Sequence, residues 1–269
     1  MPGFPPGPTV QHPFLHQDWR HLTFLHWSFA PAVIRPFIPC EFELDTFDGQ
    51  AWIGVVPFLI RGSRFPAVPW RLEFPETNVR TYVRGPDGET GVWFFSLDAA
   101  NVLAVLGARA VFGLPYMWSR MHVETPPLGT AGRIRYHSER VWPNAPAALE
   151  CTVETGESVP AREIGPLEVF LINRYRLYTR LLGRVACGVV DHFPYPLARV
   201  QLLELRQTLF SVEGPPMTVH YSPGVEVRIS APHPLYSRAE QAARLRMGAD
   251  AVQRGTFQSS TVGSGLNVE

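Results

Sequence analysis

Not one lysine occurs in the 269 residues, and all 24 basic side chains are arginine. That absence removes every chemistry that needs a side-chain primary amine: Schiff-base catalysis, pyridoxal phosphate attachment and the phosphate-gripping lysine of a P-loop. Cysteine is scarce as well. Cys40, Cys151 and Cys187 are odd in number and far apart, which argues against a disulfide framework or a paired-cysteine zinc site and reads as buried apolar thiols. No run approaches roughly 18 uninterrupted apolar residues, and Met1 to Phe14 offers neither a basic nor an apolar leader region, so no membrane association is expected and the chain is placed in the cytoplasm. Neither sign of charge is in surplus, with 24 acidic and 24 basic residues and a pI near 7.1. Nucleic acid, which requires an excess of positive charge, is therefore excluded as a partner.

Motifs for common cofactors are also missing. The sequence holds no G-x-G-x-x-G, no phosphate loop, no G-x-S-x-G and no H-E-x-x-H, so neither nucleotide nor serine-hydrolase chemistry is indicated. Four of nine histidines crowd the N-terminal region as His12, His16, His21 and His26, but Pro13 disturbs the one i,i+4 pair. No metal site and no cofactor are expected.

What is present reads as one domain over residues 15–254, preceded by a loose Pro/Gly-rich leader (1–14) and followed by a polar Ser/Gly/Thr-rich tail (255–269). Short β-branched and aromatic runs alternate with turn pairs, the pattern of an antiparallel sheet. Asp48-Gly49 separates Phe42–Thr46 from Gln50–Ile60, and Pro86-Asp87-Gly88 separates Asn78–Arg84 from Gly91–Leu97; each predicts a hairpin. Further strands are expected over Tyr116–Val123, Gly132–Val141, Leu149–Glu154, Arg174–Thr179, Val185–Phe193, Thr218–Tyr221 and Val225–Ile229. Three helices are expected: Ala99–Phe112 capped by Asp98 and ended by Gly113, Leu167–Asn173 after Pro166, and Ser237–Arg254. The fold class is α+β, a large antiparallel β-sheet closing into a barrel with a few helices at its rim, whose interior would hold a small-molecule site.

Two stretches carry a family resemblance. Arg20 leads into Ile38-Pro39-Cys40-Glu41-Phe42-Glu43-Leu44-Asp45, and Arg109 is followed by Gly113-Leu114-Pro115-Tyr116-Met117; both resemble acetoacetate decarboxylase and its superfamily. Tyr116 and Met117 stand where that family has paired lysines, so decarboxylation through a Schiff base is excluded. Leu44 to Trp52, Asn78 to Val83, Gly91 to Asp98, Arg174 to Tyr178 and His220-Tyr221-Ser222 are more similar still to a bacterial family of unknown function placed beside the decarboxylases. The resemblance implies the barrel architecture over about Trp19 to Pro234 and self-association into homo-oligomers.

By the same resemblance Arg20 takes the place of an arginine that holds a substrate carboxylate, although a structural pair with Asp18 or Glu43 accounts for it equally well. Glu76 matches a catalytic glutamate and would move a proton if pocketed, or be a surface carboxylate if not. Tyr116 either polarises a carbonyl in place of the lost lysine or fills its volume. From the residues themselves, Asn78, Arg80 and Tyr82 alternate and share one strand face, and Arg174, Arg176 and Tyr178 repeat the arrangement. Facing inward, these six would line a ligand cavity; facing outward, they would be ordinary wet strands. The partner implied is a small organic molecule, a carboxylate or an aromatic. The sequence leaves open a pure binder or sensor and a lysine-independent enzyme performing enolisation, hydration or lyase chemistry on a keto or hydroxy acid.

Overall fold

The computed structural model describes residues 7–64, 71–127, 129–143 and 146–236. The expected helix at Ser237–Arg254 and the 255–269 tail lie outside the described residues. Within the segment read as a loose leader, Val10 is buried and its N–H donates to Asp191 Oδ2 at 2.9 Å.

Among the described residues thirteen strands form one sheet: β1 (Leu15–Phe29), β2 (Glu43–Leu44), β3 (Ala51–Arg64), β4 (Leu72–Arg84), β5 (Thr90–Ala99), β6 (Tyr116–Glu124), β7 (Arg133–Trp142), β8 (Ala148–Ser158), β9 (Arg176–Leu181), β10 (Arg184–His192), β11 (Ala198–Gln207), β12 (Thr218–Ile229) and β13 (His233–Pro234). Among the described residues three α-helices accompany it: α1 (Pro31–Ile34), α2 (Val102–Phe112) and α3 (Pro166–Ile172). Two pairings beyond the linear order, β4 with β5 and β10 with β12, turn the sheet back on itself into a ring-like arrangement. Most pairings are antiparallel as expected, but β5 runs parallel to both β6 and β9. Helix α2 between β5 and β6 supplies the crossover that a parallel neighbour requires.

Local chemistry explains where expectation held and where it did not. The Pro86-Asp87-Gly88 turn joins β4 to β5 as a hairpin. At Asp48-Gly49 both residues adopt positive φ, 49° and 73°, as a tight turn demands. Only Phe47 and Gln50 bridge across it, however, because Glu43–Leu44 pairs with β4 instead of β3. Helix α2 begins later than expected: the cap is Asn101, whose side chain accepts from the Ala104 N–H at 3.0 Å, while Asp98 belongs to β5. Gly113 closes α2 with φ 64°, the left-handed geometry that glycine adopts without a Cβ penalty. Cys151 and Cys187 are buried, whereas Cys40 is exposed.

The long strand β1 sets the interior. Its register against β3 shifts between Arg20 and Leu25, and His21 sits there at φ 51°. This irregularity reverses the inside–outside alternation, because one extra residue moves every later side chain to the other face. Leu15, Gln17 and Trp19 point to the inner cavity before it, and the even-numbered Leu22 and Phe24 join the same apolar cluster after it. Phe24 and Phe58 are fully buried in that cluster, and each such side chain contributes roughly 1.5–3 kcal/mol. A second cluster, with Leu25, Trp27, Ile53, Val79 and Cys151, fills the opposite side of the sheet.

Candidate functional site

On the inner face, β1, β3, β4, β5, β6, β9, β10, β12 and α2 line a cavity of about 90 Å³. Its wall is mainly apolar, with Phe58, Phe74, Phe94, Phe112, Leu97 and Val190 among the contributors. Set into this wall are Glu76, Asn78, Arg80, Tyr116, Arg174 and Arg176. The alternating face of β4 thus looks inward, since 76, 78 and 80 share one side of the strand.

Glu76 and Tyr116 come from different elements and meet: the Tyr116 hydroxyl donates to Glu76 Oε2 at 2.9 Å. Glu76 is only 3% exposed. Burial pushes its carboxyl up to about 8, the phenol's hydrogen bond pulls the other way, and the Asp98 charge adds to the rise. Tyr116 is driven well above its ordinary value by burial and by the neighbouring carboxyl. Near neutral pH the pair is therefore a protonated acid beside a neutral phenol. Asp98 itself is fully buried on the opposite side of the sheet, where it accepts from Arg140 Nε and Nη2, both at 2.7 Å, and from Ser119 and Ser96.

Of the arginines facing inward, two are already matched by acids. Arg174 donates to Asp45 at 2.6 Å and to the Phe170 carbonyl at 2.7 Å. Arg176 lies near Asp87 and Glu89, at 3.9 and 3.7 Å. Arg80 differs. It is 7% exposed, its Nη2 donates to the Leu171 carbonyl at 3.3 Å, and its guanidinium lies over the Phe24 and Tyr82 rings at 5.7 and 5.9 Å. Among the described residues it has no carboxylate partner, and its Nε has no hydrogen-bond acceptor. Asn78 Oδ1, on the same strand face, is likewise buried without a donor.

Three residues read as ligand contacts from the sequence are not in the lining. Arg20 pairs with Asp18 at 2.7 Å with its side chain about a third exposed. The physical reason is parity: on β1 ahead of the His21 irregularity, odd positions face inward and Arg20 faces away. Tyr82 is buried behind the wall, its hydroxyl donating to the Leu171 carbonyl at 2.7 Å. With that proton committed, the 2.7 Å contact to His26 Nε2 makes the imidazole the donor. Tyr178 turns its hydroxyl to Asp87 and the Glu89 carbonyl at 2.8 and 2.9 Å. Conversely, the sequence reading passed over Gln17, Trp19 and Tyr195, all in the lining. The Leu15-Gln17-Trp19 alternation was a readable signal for the first two, but nothing near Tyr195 marked it.

Comparison with solved structures defines the class: the fold is acetoacetate-decarboxylase-like. The enduracididine biosynthesis enzyme MppR complexed with pyruvate aligns with 85% of this chain and 92% of its own at a TM-score of 0.57 and 14% identity. Acetoacetate decarboxylase from Legionella pneumophila aligns with 85% of this chain and 89% of its own at a TM-score of 0.55 and 13% identity. Within that class the chain belongs to the family DUF2071, described as "Uncharacterized conserved protein", which matches residues 16–226. It is also 36% identical over 190 residues to the uncharacterized protein YqjF of Bacillus subtilis (strain 168), covering 70% of this chain and 76% of that one.

Proposed function

We propose that the protein binds a small, largely apolar organic acid inside the ring of strands, read as a barrel, with the ligand carboxylate on Arg80. One observation carries this reading: Arg80 is a buried guanidinium that faces the cavity without an acid to balance it. Leaving a charge buried and unpaired is costly, whereas an incoming carboxylate supplies both the countercharge and acceptors in the plane of the guanidinium. The aromatic and aliphatic wall suits a hydrocarbon body, and Asn78 Oδ1 offers an acceptor to a ligand donor. That the same fold holds pyruvate in MppR supports a small acid as occupant.

A second reading rests on Glu76 and Tyr116. A carboxyl poised near 8 beside a phenol is suited to take and return a proton next to a polarised carbonyl, as enolisation of a keto acid requires. The route needs no amine.

Binding is tested by thermal shift and calorimetry with benzoate and pyruvate. Benzoate is expected to stabilise the wild-type chain, Arg80→Met to abolish the effect, and Arg20→Ala to leave it intact. Unchanged benzoate affinity in Arg80→Met would overturn the assignment. For acid–base chemistry, exchange of the pyruvate methyl protons with deuterated solvent is followed by NMR. Exchange should rise as pH climbs through about 8 and vanish in Glu76→Gln; an undiminished rate in that variant excludes the second reading.

A further inference from the structure

Asn78 is an amide set among hydrocarbon side chains. Its cross-strand neighbours are Val56 on β3 and Leu97 on β5, both buried, and Asn78 itself is 7% exposed in the cavity wall. Oδ1 is buried without a donor, and among the described residues Nδ2 has no acceptor either. A leucine has nearly the same shape and would fill this place without leaving polar atoms unsatisfied, which is the costly part of burying an amide. The terminal torsion of asparagine is broad, so the amide turns either end to the cavity at little cost. A group that both donates and accepts answers it in either orientation, and a hydroxyl is the smallest such group.

Position along the strand sets where that hydroxyl lies in the ligand. Residues two apart share a strand face with their Cα atoms about 7 Å from each other, which is the step from Arg80 to Asn78 and again from Asn78 to Glu76. Everything beside these three groups is apolar: Phe94 flanks Arg80, Val56 and Leu97 flank Asn78, and Phe58 flanks Glu76. A flexible chain spanning from the guanidinium to the amide would have to be ordered on binding. A benzene ring holds para substituents at a fixed separation of the same order. It also suits an aromatic wall, in which Trp19 and Phe58 already meet edge to face at 5.4 Å.

Resting on the carboxylate site at Arg80, we propose that the ligand is an aromatic acid bearing a hydroxyl para to its carboxylate, and that Asn78 selects it by hydrogen-bonding that hydroxyl. Glu76 completes the polar end. Its Oε2 is taken by Tyr116, which leaves Oε1 for the far side of the ligand oxygen. A site built to bond a hydroxyl discriminates against the analogue that lacks one, because the protein's own polar atoms are then left unpaired.

Isothermal titration of the full chain with benzoate, 4-hydroxybenzoate, salicylate and p-cresol tests this, in wild type and in Asn78→Leu, which keeps the side-chain volume and removes its polar atoms. 4-Hydroxybenzoate should bind wild type about tenfold more tightly than benzoate, the scale of one net hydrogen bond. Salicylate, whose hydroxyl sits beside the carboxylate, should gain nothing over benzoate. Asn78→Leu should bring benzoate and 4-hydroxybenzoate to equal affinity. No gain from the para hydroxyl in wild type, an equal gain for salicylate, or a gain that survives in Asn78→Leu overturns the assignment, and the first two outcomes need no variant. p-Cresol carries the hydroxyl without the carboxylate, so it reads Asn78 without Arg80, and its affinity should fall about tenfold in Asn78→Leu. If benzoate fails to bind while p-cresol keeps that dependence, the Arg80 reading falls and the hydroxyl site stands. If benzoate binds and p-cresol binds both chains alike, the acid site stands and the hydroxyl site falls; binding of neither compound overturns both.

Discussion

The Tyr116 hydroxyl donates to Glu76 Oε2 at 2.9 Å, joining the start of β6 to the middle of β4 across 40 residues of chain. The contact exists because both groups are buried at the same cavity wall and neither has a better partner there.

The first prediction concerns pH. The folded Glu76 carboxyl holds its proton up to about pH 8, while the unfolded chain loses it near 4.5. A raised folded value means that its stabilising contribution is fully present below 4.5 and is lost as pH rises through about 8, at about 1.4 kcal/mol per unit. Burial lowers His26 and His192, so their effects fall on the acid side of 6.5 and carry the opposite sign. Comparing wild type with Glu76→Gln isolates the carboxyl. In urea titrations the difference should shift in favour of the variant by about 3–4 kcal/mol between pH 5 and pH 8.5. Parallel stability curves would show that Glu76 ionises normally.

Removing the phenol should raise the Glu76 value further. The Tyr116 hydrogen bond is the one influence that lowers it against burial and Asp98, so Tyr116→Phe leaves the carboxylate form with less support. An infrared titration of the protonated carboxyl stretch reads the change directly. A downward shift contradicts the arrangement.

Beneath the site, Arg140 and Asp98 act as a unit. Arg140→Met would strand a fully buried carboxylate with only two serine hydroxyls and should cost about 3–5 kcal/mol. Adding Asp98→Asn should recover much of that loss, which a double-mutant cycle in denaturant would detect as a large coupling. Additive single effects would mean that the two side chains are independent.

Two glycines of the α2 region should respond in opposite directions. A Cβ at Gly107 meets nothing within 4 Å, so Gly107→Ala should stabilise by about 0.5–1 kcal/mol through helix propensity. At Gly113 a Cβ would lie 2.5 Å from the Arg180 carbonyl oxygen at φ 64°, and Gly113→Ala should destabilise by more than about 1 kcal/mol. Melting temperatures decide both, and a common sign would refute the geometry.

The inward face of β4 was legible because alternation is a local property: Asn78 and Arg80 had to share a side, and that side is the cavity wall. Arg20 was put at a ligand by family resemblance and not by alternation; it pairs with Asp18, the alternative open to it, and the register shift at His21 that surrounds it leaves no mark in an unaligned sequence. Asp98 was read as a helix cap because aspartate before an alanine-rich run is a sound local signal. A buried arginine more than forty residues away outcompeted it. The parallel β5–β6 and β5–β9 pairings were equally unreadable, because strand neighbours are chosen by long-range packing.

The sequence by itself determined that this chain has no side-chain amine for covalent catalysis, that it is built mainly of strands, and that Asn78 and Arg80 lie along one strand face. Those properties follow from residue identity and a period of two. Only the tertiary structure decided which guanidinium is left without a countercharge, that a phenol meets Glu76, and that burial keeps that carboxyl protonated. Pairing and desolvation depend on groups distant in sequence, and only folding brings them within reach of one another.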